Sequence, residues 1–152
     1  MNDQIFWEII DFLDWQKDKT EDILQKAVQI LAEYSEMQIK EFAEILARKL
    51  FALDGLIYAE KIDLPFSVDD FLYVRCYAIS QGKKYYEHIL QNPQEIENKT
   101  FGSLRLLPAK AYQLKTGQKW NYQTQFSYET YSNAQAWGED SAFSLLDMML
   151  IN

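Results

Sequence analysis

The chain has one cysteine and one histidine, three prolines and five glycines in 152 residues. A lone Cys76 excludes an internal disulfide framework and leaves a cysteine-built zinc site without ligands. A lone His88 excludes an imidazole-built metal centre. The glycines stand singly at 55, 82, 102, 117 and 138, so no glycine-rich phosphate loop exists. No apolar run approaches the roughly 18 residues that span a bilayer, and the start, Met1-Asn2-Asp3-Gln4, lacks the basic region of a signal peptide. These absences point to a cytoplasmic protein with no membrane span and no cofactor.

What is present suits a globule with a real core. Hydrophobic residues make up 48% and aromatic residues 15%, which argues against disorder. The length fits one domain over residues 1–152. The net charge is -8, which repels nucleic-acid phosphates, so no nucleic acid is expected as a partner. Residues 1–76 hold 16 acids and 8 bases, and residues 77–152 hold 7 of each. The whole net charge therefore sits in the first half. Such asymmetry marks either ordinary solvated helix faces or a surface for a basic protein partner, with Glu8, Asp11, Asp14, Glu33 and Glu36 as its candidate residues.

Apolar spacing predicts helices through most of the chain. Phe6, Ile9, Ile10 and Leu13 form the stripe of a first helix capped by Asn2 or Asp3. A second runs from about Thr20 to Tyr34, with Glu21 and Asp22 at its positive end. Ser35 to Gln38 reads as a capping box opening a third, with Ile39, Phe42, Leu46, Leu50 and Leu53 inward. Asp54-Gly55 marks a bend, Leu56 to Ile62 a short helix, and Ser67 a cap for a helix with Phe71, Leu72, Val74, Ala78 and Ile79 inward. Gly82 breaks it, Lys83–Gln91 follows, and a helix from about Ser103, or properly from Pro108, ends at Gly117. The expected core includes Phe6, Ile9, Leu13, Ile30, Phe42, Leu46, Leu50, Phe71, Val74, Ile79 and Ile89. The expected fold is mainly α, a bundle of six or seven helices. An aromatic-rich, partly extended tail from about residue 118 wraps it. Trp120, Tyr122, Phe126, Tyr128, Tyr131 and Trp137 are interleaved there with polar residues, which hints at a short strand or a lid over the core. Ala142–Ile151 reads as a docking helix.

Catalytic residue types are sparse. His88 has no motif around it, and Cys76 lies in the apolar stretch Val74-Arg75-Cys76-Tyr77-Ala78, as a small buried hydrophobe would. The helix after Ser67 carries Asp69, Asp70 and Arg75. Asp70 and Arg75 lie about 140° apart on a helix and do not pair as neighbours. Arg75, flanked by core residues, therefore reaches a partner elsewhere, with Asp63 or a carboxylate of the first helix as candidates. Two readings stand. One is an Asp/Arg pocket for a small polar ligand; the other is helix-dipole roles for Asp69 and Asp70 and a structural ion pair for Arg75. A helix-turn-helix at Gly82 would have only Lys83 and Lys84 as its basic surface.

Several of these segments resemble one family in order. Phe6-Trp7-Glu8-Ile9-Ile10 is similar to the F-W-x-L-I opening of the domain-of-unknown-function 4240 family. Ser67 to Arg75 resembles its S-D-D-x-F-x-Y-F-R segment, and Ile79-Ser80-Gln81-Gly82-Lys83 its L-I-x-Q-G-R. Tyr86 to Pro93 and Tyr112 with Thr116-Gly117 resemble its later motifs, so the resemblance covers roughly residues 5–120. Cys76-Tyr77 stands where the family usually has tryptophan. The resemblance implies a small, mostly helical bacterial domain and brings no activity with it. It singles out Trp7, Asp69, Asp70, Arg75, Gln81 and Gly82. Together with the charge, it leaves a non-enzymatic interaction protein, of the immunity type that neutralises a basic toxin, ahead of a ligand-binding or enzymatic Asp/Arg pocket.

Overall fold

The computed structural model describes residues 1–62 and 67–138, and those residues form eight α-helices and no strand. The helices are α1 (Asp3–Ile10), α2 (Thr20–Ala32), α3 (Glu36–Ala52), α4 (Leu56–Ala59), α5 (Val68–Ser80), α6 (Lys83–Gln91), α7 (Leu107–Thr116) and α8 (Ala134–Trp137). Two 3-10 turns, Pro93–Glu95 and Gly102–Leu106, link α6 to α7. The mainly α expectation holds. Asp63–Phe66 and residues 139–152, including the apolar Ala142–Ile151 stretch, lie outside the described residues.

Local chemistry sets the helix starts. The Asn2 side-chain Oδ1 accepts the Ile5 N–H at 2.9 Å and opens α1. Ser35 and Gln38 form the reciprocal capping box of α3, and the Ser67 hydroxyl accepts the Asp70 N–H at the start of α5. Gly82, at φ 102°, turns the chain sharply between α5 and α6, and Gly117, at φ 70°, closes α7.

Burial then arranges the helices around α3. It touches α1, α5 and α7, and α7 lies across both α2 and α3. Phe6 and Phe42 meet with ring centroids 4.7 Å apart, and Trp7 meets the Phe6 ring edge-on at 5.0 Å. Each such fully buried side chain contributes roughly 1.5–3 kcal/mol of transfer free energy. α5 is enclosed on more than one stripe, since Phe71, Leu72, Val74, Arg75, Cys76, Ala78, Ile79 and Ser80 are all buried. Gly102 sits against the Tyr73 ring, where a Cβ has no room. Of the expected core, Ile30 alone is only half-buried. Among the described residues no helix is long and apolar enough to cross a membrane.

The segment from 118 to 133 is an irregular strap and not a strand. It crosses the bundle and ends in α8, a turn of helix that the sequence reading did not anticipate. Trp120 meets Tyr112 and Tyr122 edge-on, Phe126 packs on Phe51, and Trp137 is buried against Phe71 and Tyr131. The aromatic tail is thus a lid over the helices.

Candidate functional site

The residues flagged around Arg75 separate into a buried polar junction and an exposed helix start. Arg75 has no exposed surface. Its Nη1 donates to the Leu50 carbonyl at 3.0 Å and its Nη2 to the Thr130 hydroxyl at 3.1 Å, while Nε has no hydrogen-bond partner among the described residues. The Phe71 ring lies 4.9 Å from the guanidinium carbon. Burial draws the pKa of Arg75 down, and the Asp54 carboxylate opposes that most strongly. The expectation of a partner in the first helix is corrected here. In that helix Asp3 is exposed and pairs with Lys49 at 2.7 Å, and Arg75 turns instead to a carbonyl at the end of α3 and to the strap.

Asp54 is the residue that sequence reasoning missed. It is fully buried and accepts from Tyr131 N at 3.1 Å, Asn133 N at 2.9 Å and the Trp137 indole N–H at 2.8 Å. Asn133 adds a bond from its side-chain amide to the Phe51 carbonyl, and the Thr130 hydroxyl donates to the Val68 carbonyl at 2.7 Å. A carboxylate and a guanidinium inside the bundle therefore clamp the strap to α3 and α5.

Asp69 and Asp70 stay exposed in the first turn of α5, at its positive end. No hydrogen bond or ion pair joins either to Arg75 among the described residues. A ligand gripping those carboxylates has no access to the enclosed guanidinium. Trp7 is buried elsewhere, against Tyr86 at 5.5 Å, with its indole donating to Asp3 at 3.2 Å. Lys49 fills the space beside it, with Nζ 4.9 Å from the Trp7 ring and 5.4 Å from those of Phe6 and Tyr86. Burial pushes the Tyr86 hydroxyl well above its usual range, and it donates to the Lys49 carbonyl. Gln81 is exposed at the end of α5. The structure therefore does not gather Trp7, Asp69, Asp70, Arg75 and Gln81 into one pocket.

The lone cysteine sits as the sequence suggested, as a small buried hydrophobe. Cys76 is buried, and burial pushes its thiol up to about 12. His88 lies half-exposed on α6, 3.0 Å from Glu95.

The acidic residues behave differently. Glu8, Asp11, Glu33 and Glu36 are exposed and Asp14 is half-exposed. Asp11 and Asp14 belong to the turn between α1 and α2, which is closed by hydrogen bonds. Phe12 N and Leu13 N donate back to Ile9 and Ile10, Asp14 N donates to the Ile23 carbonyl, and the Asp14 carboxylate caps Gln16 N at 3.1 Å. This turn holds Phe12 37% and Trp15 44% exposed, although both are large aromatics. Trp15 leans edge-on against Phe101 at 4.9 Å and Phe12 lies under Lys26. Asp11 and Asp18 flank them on the surface. Glu33 and Glu36 sit at the far end of α2, about 20 Å away by the helical rise, beside the exposed Met37. These five carboxylates thus fall into two groups. The one on the α1–α2 turn has aromatic side chains at its centre, and its signal in the sequence was Asp11-Phe12-Leu13-Asp14-Trp15, with two aromatics off the buried stripe.

The family model described as "Protein of unknown function (DUF4240)" matches residues 1–131, and the chain belongs to that family. The match takes in the strap as far as Tyr131. No curated protein and no solved structure matches the chain.

Proposed function

We propose that this family member is a non-enzymatic interaction protein that binds a basic protein through the α1–α2 turn. The observation that carries the reading is Trp15, 44% exposed on a hydrogen-bonded turn between Asp14 and Asp18, with Phe12 and Asp11 beside it. Exposed tryptophan is a residue type that often anchors an interface, and the carboxylates of Glu8, Asp11, Asp14 and Asp18, interspersed with Lys17, Lys19 and Lys26, would orient a basic partner on it. Because hydrogen bonds already close the turn, little conformational entropy is lost on binding. Glu8 carries these carboxylates onto α1, and Glu33 with Glu36 and Met37 form a second contact for a large partner. The finer reading is an immunity-type protein whose partner is a basic toxin.

The intact chain immobilised against host extract, followed by purification and titration of what it retains, tests this. A basic partner is expected. Its association rate should fall with ionic strength and with Asp11→Lys, and Trp15→Ala should weaken it by more than about tenfold, the loss of a hot-spot side chain. Co-expression should then suppress the partner's toxicity. A partner whose affinity is indifferent to salt, to Asp11→Lys and to Trp15→Ala would overturn the proposal.

A further inference from the structure

A separate cleft opens where the strap crosses α3 and the start of α7. Its volume is about 370 Å³, at the lower end of the roughly 300–1,000 Å³ of ligand pockets. Ala43 and Leu46 of α3 contribute small apolar surface, and Trp120, Tyr122 and Tyr128 of the strap bring three aromatic rings to it. Arg105 and Glu129 line the same cleft.

The charges are disposed unusually. No ion pair joins Arg105 to Glu129 or to any other carboxylate among the described residues, although both border one small space. Arg105 stacks on Tyr73 at 5.7 Å, and its Nε is buried without a hydrogen-bond partner among the described residues. The cost of such a group is usually met by a partner, protein or ligand. Two further charges stand nearby: Lys40 lies over the Tyr122 ring at 5.6 Å, and Glu44 is already satisfied. It accepts the Tyr122 hydroxyl at 2.6 Å and the Gln125 N–H at 3.0 Å, so it fixes the strap and does not neutralise Arg105. Burial holds Tyr128 protonated, as a neutral donor at the wall.

We propose that this cleft binds a zwitterion of the aromatic amino-acid class, with its carboxylate on Arg105, its ammonium on Glu129 and its ring against Trp120, Tyr122 and Tyr128. Two opposite charges that border one space without pairing match a ligand that carries both. Aromatic rings facing the apolar surface of Ala43 and Leu46 match a planar ring. The site shares no residue with the α1–α2 turn, so it stands or falls apart from the partner-binding reading.

Phenylalanine is the probe for the test, because it leaves the tryptophan emission of the protein readable. Titration into the intact chain, followed by calorimetry and by fluorescence, should give saturable binding at millimolar concentration or below. Phenylalanine should bind more tightly than 3-phenylpropionate, which lacks the ammonium, or phenethylamine, which lacks the carboxylate. Arg105→Ala should weaken phenylalanine and 3-phenylpropionate by more than tenfold. Glu129→Gln, a change at an exposed residue, should weaken phenylalanine several-fold and leave 3-phenylpropionate unchanged or tighter. Absence of saturable binding by phenylalanine, tyrosine and tryptophan would overturn the proposal. So would equal affinity for all three phenyl compounds, or equal weakening of both acids by Glu129→Gln.

Discussion

The α1–α3 segment and the strap are held in place by different physics. In the first, each helix carries its own instructions: a side-chain cap on α1 and α3, carboxylates in the first turn of α2, and in all three an apolar stripe at helical spacing and a solvated face. The strap has neither period nor ladder. It crosses the bundle because single polar groups far away in sequence grip it: Asp54 on Tyr131, Asn133 and Trp137, Arg75 on Thr130, and Glu44 on Tyr122 and Gln125. Local interactions make the helical half robust to single losses. The strap concentrates its attachment in a few buried charges, where one loss has a large cost.

Asp54→Ala is expected to show this most strongly. It leaves three donors without an acceptor and removes the carboxylate that most supports the charge on buried Arg75. The expected loss is about 3–5 kcal/mol in urea unfolding, as for breaking a buried charge arrangement. Hydrogen exchange at Trp137 and its neighbours should speed up before that in α1. Uniform acceleration through the chain would mean that strap and bundle are a single cooperative unit, and the contrast drawn above would fail.

The alkaline limb of stability comes next. Burial pushes the Cys76 thiol from its ordinary 9.0 up to about 12. Between those values the folded chain holds a proton that the unfolded chain has lost. This contribution is full below about pH 9 and declines as pH rises toward 12. Tyr58, Tyr85, Tyr86, Tyr128 and Tyr131 are shifted upward as well, mainly by burial, and add to the same decline. Cys76→Ala should flatten the slope, and the native thiol should resist alkylation at about pH 8 until denaturant is added. Rapid native-state labelling would show that α5 opens far more readily than its burial implies.

Gly102→Ala should have a smaller effect. The added methyl runs into the Tyr73 ring, and overpacking of this kind costs typically about 1–3 kcal/mol. Pairing it with Tyr73→Ala should recover part of the loss in a double-mutant cycle. Simple additivity would place the strain in the Gly102 backbone.

What the sequence made legible follows the same division. The capping box at Ser35, the breaks at Gly82 and Gly117 and the stripes of α1 and α3 are local signals, and they placed the helices to within a few residues. Asp54-Gly55 looked like a bend because its acid acts on residues 77 to 83 positions later, a separation that no window sees. Arg75 was legible as a core cation needing a remote partner, but its acceptors, a carbonyl of α3 and a hydroxyl of the strap, have no signature in the chain. The acid-flanked aromatics of the α1–α2 turn were visible as residues. Their exposure was not, since Leu13 between them is buried. The cleft at Arg105 exists only where three distant segments meet.

The start of α3 gives the smallest and most discriminating effect. The Ser35 hydroxyl accepts the Gln38 N–H at 3.1 Å, and the Gln38 side chain accepts the Ser35 N–H at the same distance. Ser35→Ala removes the first bond and loosens the second, at about 1 kcal/mol. The beginning of α3 should fray while its end, 17 residues on and about 25 Å away, keeps Leu50, Phe51 and Asp54 in position for the strap. Combined with Asp54→Ala, the two losses should therefore add within about 0.5 kcal/mol. A larger coupling would require α3 to act as a rigid rod that carries the state of its cap to the clamp. Local capping and remote gripping would then be two ends of one device.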